Sequence, residues 1–169
     1  SCGREVVPAV LIEGQHCPEC NEERPPYNFA RSVFTYSGYA REVLLEYKYG
    51  HRPDLAGPFS QMLFLYYDEY FKDQNIDYLI PVPMHGERKN YRGYNQAARL
   101  AQALSKKIKI EYKDVISRVK DSLPLYTLTK KARKMELEGA FELEEDTDSA
   151  IFKDKNILII DDIITTGTT

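Results

Sequence analysis

Tryptophan is absent from the 169 residues, and cysteine, methionine and histidine occur only three times each. An odd number of cysteines with no secretory mark argues against a disulfide framework. No apolar run approaches the roughly 20 residues needed to cross a bilayer, so membrane insertion is not expected. A net charge of −3 argues against a wholly basic nucleic-acid binder. There is no internal repeat and no low-complexity tract. What is present is a globular balance: 43% hydrophobic and 29% charged residues exclude a disordered chain. The length suits one ordinary domain with a small appendage. The chain opens on Ser1 rather than Met and stops at Thr169 inside a loop motif. The expectation is therefore a piece of a longer protein, incomplete at both ends.

The mild average charge hides a segregation. Residues 86–134 hold fourteen Lys/Arg against four Asp/Glu, a balance of +10, and residues 135–152 hold seven acidic residues and no basic one. The basic stretch is either an anion-binding face or a set of solvated helix surfaces.

Residues 1–26 are rich in Cys, Pro and Glu and read as a small irregular module, with Pro25-Pro26 as a linker to a domain over 31–169. Arg31–Tyr36 suits a strand, turned by Ser37-Gly38. Tyr39–Tyr49 suits a helix with Val43, Leu44 and Tyr47 on one face and Gly50 at its end. A second helix is expected over Pro53–Phe71. Asp77–Val82 reads as a buried strand with an extended exit forced by Pro83. Residues 84–93 read as a polar, basic loop. Asn95–Ile108 is helical, with Leu100, Ala101, Leu104 and Ile108 on one face. A strand at Val115–Val119 and a mobile loop over 120–128 follow. Thr129 caps a short basic helix ending near Gly139. Ala140–Leu143 and Asn156–Ile160 read as strands, the last one fully apolar. Strands alternating with helices, two of them apolar enough to be buried on both faces, predict an α/β domain with a mostly parallel sheet. Ligands of such sheets bind beyond the carboxyl ends of the strands.

The strongest signal is ILIIDDIITTGTT, residues 157–169. An apolar strand ends in two carboxylates, Asp161 and Asp162. Then comes Thr165-Thr166-Gly167-Thr168-Thr169, a tight loop opening a helix. Its N–H groups and hydroxyls can surround a phosphate, and Gly167 lets the backbone come close. Carboxylates beside a phosphate nest repel the phosphate unless they face another part of the same ligand. Vicinal ribose hydroxyls are suitable donors, and a ribose 5-phosphate carries both groups.

This segment is similar to the signature of the type I phosphoribosyltransferases, which bind 5-phosphoribosyl 1-pyrophosphate (PRPP). The resemblance implies that Thr165–Thr169 hold the 5-phosphate and that Asp161 and Asp162, cast as the catalytic pair, contact the ribose hydroxyls. DYLIPVPMHGERKNYRGYNQAARLAQAL, residues 77–104, resembles a block of the ComF family, also seen in GntX-like proteins. ARKMELEGAF, residues 132–141, is similar to that family's R-x-x-N-x-x-GAF block, with Glu136 in place of its Asn. Leu125 likewise stands where the family often has Gln. RSVFTYSGYAREVLLEYKYGHRPDLA resembles the upstream segment. The resemblance implies a type I phosphoribosyltransferase-like parallel sheet flanked by helices, with a small N-terminal zinc ribbon. It also implies a cytoplasmic late-competence protein that assists uptake of single-stranded DNA in bacterial natural transformation, with a helicase partner.

A PRPP site needs a second anion cradle, and the family places it after the strand at 77–82. Here Met84, His85, Gly86, Arg88, Arg92 and Gly93 follow that strand. Arg88 and Arg92, four apart, suit phosphate oxygens. Lys130, Lys131 and Arg133 could close over the ligand, or could simply be solvated. His85 is either a ligand contact or a structural loop histidine. Pyrophosphate implies Mg²⁺, which takes few protein ligands and keeps its waters.

Cys17-Pro18-Glu19-Cys20 is a C-x-x-C knuckle, and Cys2-Gly3 reads as the second half of another. Cys2, Cys17 and Cys20 are the expected ligands of a structural zinc, with a preceding Cys or His16 as the fourth. Tyr91 and Tyr94 lie among Arg88, Lys89, Arg92 and Arg99, a mixture that suits single-stranded nucleic acid. The plainer reading, preferred here, packs both tyrosines on the helix. Two other functions stay open: a phosphoribosyltransferase of nucleobase salvage, and a PRPP sensor without catalysis.

Overall fold

The computed structural model describes residues 25–121 and 128–164. The expectations for the cysteine module, for Leu125 and for Thr165–Thr169 lie outside the described residues. The described chain is a mixed α/β structure around a three-stranded parallel sheet in the order β2-β1-β5. The strands are β1 (Tyr78–Pro81), β2 (Glu111–Tyr112), β3 (Ile116–Arg118), β4 (Phe141–Leu143) and β5 (Ile157–Ile160). The helices are α1 (Gly38–Tyr49), α2 (Ala56–Tyr70), α3 (Gly86–Arg92), α4 (Gln96–Ile108) and α5 (Lys130–Leu137). β3 and β4 form a separate antiparallel pair, which the expectation of a mostly parallel sheet did not include.

The core sits between the sheet and α1, α2 and α4. Tyr47, Ala56, Leu79, Tyr94, Leu100, Ala101, Leu104 and Ile160 form one buried cluster. The i, i+4 spacing of Leu100 and Leu104 builds the inner stripe of α4. α4 starts at Asn95, whose side-chain oxygen accepts a hydrogen bond from the Ala98 N–H at 3.3 Å. The same side chain donates from Nδ2 to the Val82 carbonyl at 3.0 Å. One residue thus caps a core helix and fastens it to the segment leaving β1. Asn95→Ala is expected to cost about 1–2 kcal/mol in chemical denaturation, from the cap and the lost tie together. Asn95→Ser, which keeps only the cap, should recover about half of it.

Four expectations are corrected. Arg31–Tyr36 is not a strand. Its β-branched and aromatic residues favour extended chain, but Phe34 and Tyr36 are exposed and the segment joins neither sheet. Residues 86–92 are not loop but the seven-residue helix α3, closed by Gly93 in the left-handed conformation at φ +80°. The expected helix over 53–71 begins as a 3₁₀ turn at Pro53–Leu55 and becomes α-helical at Ala56. β5 is not buried on both faces. Leu158 and Ile160 join the core, while Ile157 and Ile159 are 38% and 59% exposed. Alternation along a strand sends them to the opposite side of the sheet.

Gly50 does end α1, for a reason other than a left-handed turn. A Cβ there would meet the Glu46 carbonyl oxygen at 2.7 Å. Thr129 caps α5 as expected, accepting from the Ala132 N–H at 3.3 Å. Among the described residues, no helix is long and apolar enough to cross a membrane.

Candidate functional site

β1 and β5 run parallel in a register that pairs Pro81 with Ile160, and the Val82 N–H donates to the Ile160 carbonyl at 2.9 Å. Both strands therefore end at the same edge of the sheet. Two chain segments far apart in sequence emerge there side by side: Asp161-Asp162 after β5, and Val82 to α3 after β1. This is the crevice position expected for an α/β ligand site.

Asp161 and Asp162 are both partly buried. The Asp162 N–H donates to Asp161 Oδ1 at 2.8 Å, which fixes the first side chain against the second residue's backbone. Asp162 Oδ1 lies 3.0 Å from Lys48 Nζ, and these side chains are only 11% and 18% exposed. Burial, reinforced by the neighbouring Asp162 charge, pushes the Asp161 carboxyl up to about 7; the Lys48 charge pulls the other way. The Asp161 carboxyl is therefore harder to ionise than an ordinary aspartate.

Lys48 was not legible as a site residue. It stands on the last turn of α1, between buried Tyr47 and exposed Tyr49. Its backbone is tied to the start of α4: Gln96 Nε2 donates to the Lys48 carbonyl at 3.3 Å. The Tyr47 hydroxyl donates to the Gln96 carbonyl at 3.0 Å, and the Tyr94 hydroxyl donates to the Tyr47 carbonyl. Burial pushes the Tyr47 hydroxyl far above its ordinary range, so it remains a donor. With the bond from Asn95 to Val82, this network joins α1, α4 and the β1 exit into one frame behind the acidic pair.

On the β1 side, the two arginines of α3 have different partners. Arg88 Nη2 pairs with Asp121 Oδ1 at 3.2 Å. The Arg92 guanidinium lies over the Tyr49 ring, 4.6 Å from its centroid, and reaches Gln96 Oε1 at 3.5 Å. His85 Nδ1 is buried without a hydrogen-bond partner, 3.9 Å from Asp121 Oδ1. His85, Glu87 and Asp121 bring one donor atom each within 4.8 Å of one another, a set that could hold a cation. Tyr94 is buried as expected, but Tyr91 is 77% exposed and does not pack on the helix. Lys130, Lys131 and Arg133 lie on α5, which follows β3 and precedes β4 in the chain.

No protein-family model matches the chain. No solved structure matches it either. The chain is similar to Competence protein F of Haemophilus influenzae, 27% identical over 172 aligned residues that cover 99% of this chain and 72% of that protein. It is 26% identical over 157 residues to DNA utilization protein YhgH of Escherichia coli (strain K12), covering 90% of this chain and 67% of the relative. It is 29% identical over 142 residues to Competence protein ComFC of Bacillus subtilis, covering 82% of this chain and 53% of the relative.

Proposed function

We propose, on its similarity to competence and DNA utilization proteins, that the chain is a ComF-family protein that binds PRPP and serves the handling of single-stranded DNA during natural transformation. The DNA role is supported by relatives named for competence and for DNA utilization. The observation that carries the PRPP reading is the emergence of Asp161-Asp162 and the basic helix α3 at one sheet edge. A ribose diol donates to carboxylates, and a pyrophosphate calls for guanidinium groups. Both kinds of partner stand side by side here.

In this reading the domain is type I phosphoribosyltransferase-like. Asp161 and Asp162 accept the ribose hydroxyls, and Thr165, Thr166, Gly167, Thr168 and Thr169 cradle the 5-phosphate. Arg88 and Arg92 face the pyrophosphate, which requires Arg88 to leave Asp121 and Arg92 to turn from the Tyr49 ring. Mg²⁺ would arrive with the pyrophosphate, and the oxygens of Glu87 and Asp121 suit such a hard cation. Its charge would offset the phosphates. The protein's own part is to orient the ribose and to exclude water from it. Cys2, Cys17 and Cys20 supply the soft thiolates that a structural zinc prefers. A helicase and single-stranded DNA are the expected partners, in the cytoplasm.

Titration calorimetry of PRPP with Mg²⁺ into the full-length protein tests the reading. Binding in the micromolar range is expected. The Asp161→Ala/Asp162→Ala variant removes two charged hydrogen-bond acceptors, at about 1.5–3 kcal/mol each, and should bind at least about 100-fold more weakly. A folded wild-type protein that takes up no PRPP would overturn it.

A further inference from the structure

Among the described residues, Lys48 is the cation that pairs with Asp162, yet it belongs to a helix far from β5 in sequence. It reaches Asp162 from the end of α1, with both side chains largely buried. A largely buried ammonium held on a carboxylate is costly to desolvate and is a weak source of stability. Its position is better explained by what it does to the second carboxylate. Asp161 and Asp162 are successive residues, and the Asp161 carboxylate is anchored on the Asp162 backbone. Two carboxylates held this close do not ionise independently.

We propose that Lys48 is a positioning residue of the acidic pair: its ammonium offsets the Asp162 charge, so that Asp161 can also stand as a carboxylate and accept a ligand hydroxyl. The nature of that ligand, a ribose with vicinal hydroxyls, rests on the PRPP reading; the electrostatic role does not. The charges that act on Asp161 are those of Asp162, which hinders its ionisation, and Lys48, which favours it. Among the described residues, the ionisable groups that act behind the site include Tyr47 on α1, Tyr94 ahead of α4 and Arg99 on α4. Burial first, then Tyr94 and Asp162, push Tyr47 up, and Arg99 opposes them. On the β1 exit the nearest such group in sequence is His85, which faces Asp121. The fixed frame of Tyr47, Gln96 and Lys48 carbonyl bonds delivers the ammonium to one place, so its effect is geometric as well as electrostatic.

The test compares wild type, Lys48→Gln and Lys48→Arg for binding of PRPP with Mg²⁺ across pH. Glutamine keeps a polar head without charge, and arginine keeps the charge. The titration of the ligand itself is common to all three and cancels. Lys48→Gln should move the midpoint of the binding profile up by about one pH unit or more, which is about tenfold weaker binding at neutral pH. Binding should converge with wild type at alkaline pH, and Lys48→Arg should follow wild type throughout. A merely structural lysine would instead weaken binding by the same factor at every pH, and that result would overturn the proposal. Carboxyl ¹³C titration of Asp161 in the ligand-free proteins separates the two readings. If wild type binds no PRPP at any pH, the PRPP reading fails. An upward shift of Asp161 in Lys48→Gln would still support the role of Lys48, and an unmoved Asp161 would refute it.

Discussion

Leu104→Ala lowers the stability of the protein by about 2–5 kcal/mol in urea denaturation, whereas Ile159→Ala changes it by less than about 1 kcal/mol. Leu104 is 1% exposed and lies in the cluster that joins α4 to α1, α2 and the sheet. Removing its branched end leaves a hole, because α4 is held at its start by the Asn95 cap and cannot slide inward. Ile159 has equal apolar bulk on a strand that reads as uniformly apolar, but it is mostly exposed. Its loss therefore gives back little buried area. The comparison measures the two-sidedness of β5. A loss at Ile159 as large as at Leu104 would mean that both faces of that strand are covered in solution.

That contrast marks how far the sequence could be read. The apolar stripe of α4 has a period, and a period says which side is inward. The run Asn156–Ile160 has none, so its strand was legible but its exposed face was not. α3 was missed because the six mostly polar residues between Gly86 and Gly93 carry no stripe; its shape comes from the turn at Gly93 and from what its arginines meet. Arg31–Tyr36 failed in the opposite sense. It has strand propensity and no sheet edge to join, and pairing rather than propensity makes a strand. At the site, Asp161 and Asp162 were legible from their place after β5, because strand ends and carboxylates are local features. Lys48 was not. It looks like any lysine closing an amphipathic helix, and only the packing of α1 across the β5 exit brings it to Asp162.

The same packing makes the acidic pair expensive, and this can be read without any ligand. Asp161→Asn should stabilise the protein at pH 8 by roughly 2–4 kcal/mol, while abolishing the negative charge that the proposed site needs. The sign follows from the carboxyl's displacement. Its folded value is about 7 against an ordinary 3.8, because burial and then the Asp162 charge oppose ionisation. Below the ordinary value both folded and unfolded chains are protonated there, and nothing is lost. As pH rises through the interval to about 7, the unfolded chain releases the proton and the folded chain retains it, so stability falls. Above about 7 the penalty is constant. Asparagine removes it and can still accept the Asp162 N–H through its own side-chain oxygen. The stability difference between variant and wild type should therefore be near zero at pH 3, grow between pH 4 and 7, and level off beyond. Carboxylates held low by partners, such as Asp77 beside Lys155, have the opposite dependence but are common to both proteins and cancel. A variant that is less stable than wild type at pH 8, or a difference that is flat with pH, would refute this account. A residue that costs stability at working pH, and whose neutral isostere relieves the cost, is one that packing alone does not explain. The proposed site at the end of β5, where Asp161 accepts a ligand hydroxyl, would supply such a reason.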